Sequence, residues 1–152
     1  MNLNTIRAVQ RPASAAEVTS WRDGDAWLAG GTWLFSQPQP GLDTLIDLEG
    51  LRWPALETSP AGLTIAATCR IAELYRYATP PDWTAAPLIR ACRNTFLASW
   101  KIWDTATVGG NICMSLPAGP MISLTAALEG VCTLWAAPGN AARGSGCRFH
   151  HR

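Results

Sequence analysis

Thr107-Val108-Gly109-Gly110-Asn111 is the stretch on which the reading turns, because it has a counterpart upstream in Ala29-Gly30-Gly31-Thr32. A glycine pair lacks the Cβ atoms that block positive φ, so successive N–H groups can turn inward as an anion-binding nest at a helix start. A pyrophosphate suits such a pocket. Thr32 adds a hydroxyl beside the first pair, while Thr107 and Asn111 flank the second with a hydroxyl and an amide. One Gly-Gly after a strand ordinarily marks a turn; two in one short chain carry more weight. Neither loop is G-x-G-x-x-G, and neither is followed by lysine, since Lys101 is the only lysine in the chain. Rossmann and Walker readings both fail on residue type.

Outward from the loops, the pattern is mixed. Thr5 to Val9 reads as a strand closed by Arg11-Pro12, and Ser14-Ala15-Ala16-Glu17 has capping-box spacing that predicts a helix to about Trp21. Ala26 to Ala29 is an apolar run of strand length feeding the first glycine pair, with a short helical turn from Thr32 to Phe35. Thr44 to Leu48 and Leu63 to Ala67 read as strands, the latter after an Ala61-Gly62 turn. Ile71 to Tyr75 reads as a helix. After Pro80-Pro81 a longer helix is expected from about Thr84 or Ala85 to Ser99, with Leu88, Ala91, Cys92, Phe96 and Leu97 near 3.6 periodicity. Beyond the second loop come a helix over about Met121 to Leu128 and a strand at Val131 to Trp135. The class is α+β: neither the even strand spacing of a sandwich nor the strict alternation of a doubly wound sheet is present.

A chain of 152 residues, 48% hydrophobic and 15% charged, has enough apolar material for a core. Its formal net charge is +1, and three of the twelve basic residues, Arg143, Arg148 and Arg152, fall in the last ten positions. The remaining body offers no basic stripe for nucleic acid and no polybasic membrane anchor. Met1 to Ser20 lacks the apolar core of a secretion signal, and Met121 to Ala137 is too short to span a bilayer, so a cytoplasmic protein is expected. Five widely spaced cysteines without C-x-x-C predict buried apolar thiols and no metal site.

The two loops resemble a known family. Leu28-Ala29-Gly30-Gly31-Thr32-Trp33-Leu34 is similar to the first flavin loop, and Ala106-Thr107-Val108-Gly109-Gly110-Asn111-Ile112 to the second, of the PCMH-type FAD-binding domain. That domain occurs in xanthine dehydrogenases and carbon monoxide dehydrogenase medium subunits. Similarity continues through Leu45 to Leu48, Leu63 to Thr68 and Leu124 to Leu128, and spans about residues 5 to 135. The resemblance implies two α/β lobes, the first about 1–55 and the second starting at about 56 and running to 136, incomplete. It implies FAD as cofactor, held by Leu28, Ala29, Gly30, Gly31, Thr32, Trp33 and Leu34 in one loop, and by Thr107, Val108, Gly109, Gly110 and Asn111 in the other.

The implied function is a flavoprotein subunit of a molybdenum-hydroxylase-type oxidoreductase, working with an iron–sulfur subunit and a molybdopterin subunit and passing electrons to an external acceptor. No side chain is assigned a catalytic role, because the flavin carries the redox chemistry. A non-catalytic remnant and a nucleotide-binding module without redox activity are the alternatives. Pro120 stands where many relatives carry an aspartate, which removes one polar contact. Residues 137–152 have no apolar periodicity and are expected to be an aberrant or disordered tail, from a frameshift or premature end after about Ala136; His150 and His151 belong to it. Trp33 is a candidate to touch the adenine, and Lys101 with Asp104 reads as a solvated salt pair.

Overall fold

The computed structural model describes residues 4–95, 98–117, 119–135 and 146–150. Two separate sheets divide the chain. The first is parallel, with β3 (Thr44–Asp47) between β1 (Ala8–Gln10) and β2 (Asp25–Leu28). Thr44, Leu45 and Ile46 are buried, as expected of a central parallel strand covered on both faces. Arg22 ties the start of this sheet together: its Nη2 donates to Asp25 Oδ1 at 2.9 Å, Asp43 Oδ1 at 3.0 Å and Thr44 Oγ1 at 2.8 Å. Trp21 and Trp27 lie with ring centroids 4.7 Å apart.

The second sheet is antiparallel, ordered β4 (Leu56–Ser59), β5 (Gly62–Ile65), β7 (Gly146–His150), β6 (Val131–Trp135). Helices α1 (Ile71–Arg76), α2 (Ala86–Asn94), α3 (Trp100–Trp103), α4 (Val108–Cys113) and α5 (Pro120–Ala127) belong to this half. Its core gathers Leu63, Ile71, Leu74, Ile89, Met121 and Leu124 around the fully buried Cys69. The architecture is α+β, in accord with the class read from sequence.

Several boundaries move for identifiable reasons. The expected helix from Ser14 is a single 3₁₀ turn, Ala15–Glu17. Glu17 does reach back to the Ala13 amide, at 3.0 Å, but the Ser14 hydroxyl does not cap, and the β-branched Val18 and Thr19 follow at once. The long helix stops at Asn94, where the Thr95 hydroxyl donates to the Cys92 carbonyl at 2.6 Å; Phe96 and Leu97 lie outside the described residues. Strand β4 is absent from the sequence reading because Leu56-Glu57-Thr58-Ser59 has only one apolar residue. It pairs β5 across a turn in which Gly62 has φ 126.

The backbone of Gly146–His150 is paired to both β5 and β6, so the expectation of a structureless tail from residue 137 does not hold for these five residues. Two strand edges facing one another leave N–H and C=O groups that a strand between them satisfies. Residues 136–145 and His151 lie outside the described residues. The expectation of buried thiols holds for Cys69, whereas Cys113 and Cys132 are exposed, one closing a short helix and the other on an outer strand.

Candidate cofactor site

The first glycine loop emerges from the C-terminal end of β2, where Leu28 stands in register with Asp47. Gly31 has φ 67, and a Cβ added there would meet the Phe35 ring at 2.5 Å. Phe35 donates its amide to the Gly31 carbonyl at 2.8 Å, closing the expected turn over Thr32 to Phe35. Among the described residues, the amides of Gly30, Gly31, Thr32, Trp33 and Leu34 donate to no protein acceptor. Open amides around a left-handed glycine are the makings of an anion nest. Trp33 is 44% exposed beside them.

The second loop is built differently. Thr107 is the N-cap of α4, buried, and its Oγ1 accepts from the Gly110 amide at 3.1 Å. The Val108 amide goes to the Cys69 carbonyl at 2.8 Å, that of Gly109 to Ala67 at 3.0 Å, and that of Asn111 to Thr107 at 3.0 Å. Every amide from Val108 to Asn111 is thus engaged within the protein, and the expectation that both loops present free backbone donors is corrected here. The diglycine forms the first turn of a helix rather than a turn before one, and a helix start capped by threonine uses its own N–H groups.

Gly109 is needed for approach: a Cβ on it would meet the Ala67 Cβ at 2.6 Å and the Ala67 backbone at 2.7 Å. Asn111 is half-buried, and its Oδ1 accepts from the Met121 amide at 3.1 Å, which fixes the carboxamide against the start of α5. Pro120 is the first residue of α5, a position where a missing N–H costs nothing.

The fold brings the two loops together. A Cβ on Gly30 would overlap the carbonyl oxygen of Thr105, two residues ahead of Thr107. Sequence reasoning missed two partners in this arrangement, the Ala66–Cys69 connection and the Thr105–Ala106 backbone. Arg70 bridges Thr107, and Ile71 donates to Ala106 at 2.9 Å. Their only signal in sequence is smallness at Ala66 and Ala67. Lys101 and Asp104 do not pair: Lys101 Nζ sits 5.7 Å from the Trp100 ring centroid, and Asp104 takes Arg76 at 3.1 Å.

A separate apolar cavity of about 340 Å³ lies between the β4–β5 turn, Trp83 and α5. Of the residues named above in the loops, only Val108 reaches it. It is not the place for a pyrophosphate.

Residues 4–142 match the model of a family described as the FAD binding domain in molybdopterin dehydrogenase. No curated protein matches the chain. Among solved structures, a carbon monoxide dehydrogenase from Hydrogenophaga pseudoflava that lacks the Mo-pyranopterin moiety superposes with TM-score 0.75 at 18% identity, covering 96% of this chain and 58% of that one. The cyanide-inactivated Cu,Mo-CO dehydrogenase superposes at 0.73 with 20% identity, covering 96% and 59%. Reconstituted CO dehydrogenase from Oligotropha carboxidovorans gives 0.72 at 19%, covering 95% and 57%. The chain therefore spans less than three-fifths of the length of these relatives in fold. FAD is the cofactor of the matched family, and a nest of open amides set against a second, glycine-packed loop is compatible with its pyrophosphate. By a match that covers most of its length, the chain belongs to the family of FAD-binding domains of the molybdopterin dehydrogenases.

Proposed function

We propose that this chain is the FAD-cradling part of a flavoprotein subunit in a molybdenum-hydroxylase-type oxidoreductase. In that role it passes electrons from iron–sulfur clusters through FAD to an external acceptor. Its partners are an iron–sulfur subunit and a molybdopterin subunit, and its compartment the cytoplasm. No helix among the described residues is long and apolar enough to cross a membrane.

The observation that carries the reading is the run of open amides from Gly30 to Leu34 around the left-handed Gly31. Those donors hold the pyrophosphate. The second loop contributes shape, through Gly109 against Ala67, and a side-chain NH₂ from Asn111. Leu28, Ala29 and Thr32 complete the first wall, with Trp33 placed for an aromatic end of the cofactor; Thr107, Val108 and Gly110 hold the second. When bound, FAD supplies the redox chemistry, and the protein supplies position and electrostatics.

Flavin titration tests this. FAD added to the purified chain should lose fluorescence at a defined stoichiometry, ADP should compete, and riboflavin, which has no phosphate, should bind far more weakly. Absence of FAD binding would sink the proposal. ADP binding as tight as FAD binding would favour a nucleotide module without redox function, because loop one contacts only the part the two ligands share.

A further inference from the structure

The two halves of the molecule meet at the glycine loops, and their contact there has a polar component that neither loop contains. Arg70 Nη2 donates to Glu49 Oε1 at 2.9 Å. Of the ion pairs among the described residues, it alone joins the part up to residue 55 to the part beyond it.

Both ends are anchored in backbone. On one side, Asp47 stands in register with Leu28 at the root of loop one, and its Oδ1 accepts the Glu49 amide at 3.0 Å, fixing the 3₁₀ turn Leu48–Leu51. On the other, Arg70 bridges Thr107, the cap of loop two, while its own amide donates to Glu73 Oε2 at 2.8 Å. Arg11 backs the arrangement, with Nε 3.4 Å from Asp47 Oδ2 and Nη2 3.5 Å from Glu49 Oε2. Glu49 thus lies between two guanidinium groups. A network of this kind holds geometry better than a lone exposed pair, whose two long side chains each lose rotamer freedom to meet.

We infer that Glu49 and Arg70 are positioning residues that set the separation of the two glycine loops, so that cofactor affinity depends on an ion pair outside the loops that hold it. The inference rests on the proposed FAD site for its ligand, but not for its geometry. Beside the approach of Gly30 to Thr105, the Ala66 amide donates to the Ala55 carbonyl at 3.0 Å and Trp53 packs against the second core, and all of these contacts are uncharged. The ion pair adds a charged, directional contact between the Leu48–Leu51 turn and the residue that bridges Thr107, and so fixes the spacing on that side.

Nitroxides on cysteines introduced at the exposed Ser36 and Ser115 report that spacing without cofactor, in a chain whose label-accepting native cysteines are replaced by serine. Glu49→Gln and Arg70→Gln should each broaden the distance distribution and weaken FAD binding about three- to fivefold, the upper range for exposed charge pairs. The double variant should be no worse than either single one, and Arg70→Lys should recover part of the loss. Added salt should weaken the parent and leave the double variant less affected. Unchanged distances in both single variants, or losses that simply add in the double one, would overturn the inference. If the parent binds no FAD, the cofactor reading fails, and the distance measurement still decides the role of the pair.

Discussion

The backbone of Gly30 lies so close to Thr105 that a Cβ on the glycine would overlap the Thr105 carbonyl oxygen. The obstacle is main chain on both sides, so no side-chain rotation relieves it. Gly30→Ala must push the first loop off the stem of the second. Overpacking of this kind costs about 1–3 kcal/mol. Urea denaturation should show a lowered midpoint with an unchanged slope, together with loss of FAD binding. A variant as stable as the parent would mean that the two loops do not touch.

Gly31 has a different requirement. Its φ of 67 is the left-handed region, and the nearest obstacle to a Cβ is the Phe35 ring edge. Gly31→Ala pays the conformational penalty of about 1–2 kcal/mol and also displaces a ring. Adding Phe35→Ala removes the obstruction but not the φ penalty. Thermal melts of the single and double alanine variants should separate the two: partial recovery of the Gly31→Ala loss in the double variant is expected, beyond what Phe35→Ala alone predicts. No coupling between the positions would contradict the packing described.

How much of this was legible in the sequence depends on which atoms carry the information. Strands β3 and β6 fall within one residue of expectation, since Leu45-Ile46 and Val131 to Trp135 are apolar and β-rich enough to need no context. The two loops were legible as glycine pairs, because φ and close approach are properties that only glycine provides. Their difference was not legible. That loop one leaves its amides open while loop two commits them to Cys69, Ala67 and Thr107 depends on carbonyls from distant parts of the chain. Backbone acceptors have no sequence signature, and the same holds for β4, whose Glu57 and Thr58 become strand only because β5 lies alongside.

Asn111 separates stability from binding. Its Oδ1 accepts the Met121 amide, an orphan donor in the first turn of α5, and the proposed function gives its NH₂ group to the cofactor. Asn111→Ala loses the acceptor and should cost about 1 kcal/mol of stability along with affinity. Asn111→Asp retains an acceptor for Met121 and should fold as the parent does. Binding should nevertheless fall, because a carboxylate replaces the donor beside an anionic cofactor. Equal affinity of the aspartate variant and the parent, by flavin fluorescence, would remove Asn111 from the site.

Cys69 gives the molecule an alkaline limit. The thiol is fully buried in the second core, and that burial, with a smaller push from the Glu73 carboxylate, raises its pKa from 9.0 to about 12. In the unfolded chain the thiol ionises near its ordinary value, so above that pH the unfolded state holds fewer protons than the folded one. Stability is then fully present below about pH 9 and declines as the pH rises toward 12, by at most about 1.4 kcal/mol per unit from this group. Cys69→Ala should flatten the dependence of the urea midpoint over that range, at the cost of a small cavity. In the parent at pH 8, a thiol reagent should modify the exposed Cys113 and Cys132 and spare Cys69 until denaturant is added. Rapid labelling of Cys69 in the folded protein would show that the core around Ile71, Val108 and Met121 is open to solvent, and with it the floor on which the second loop is built.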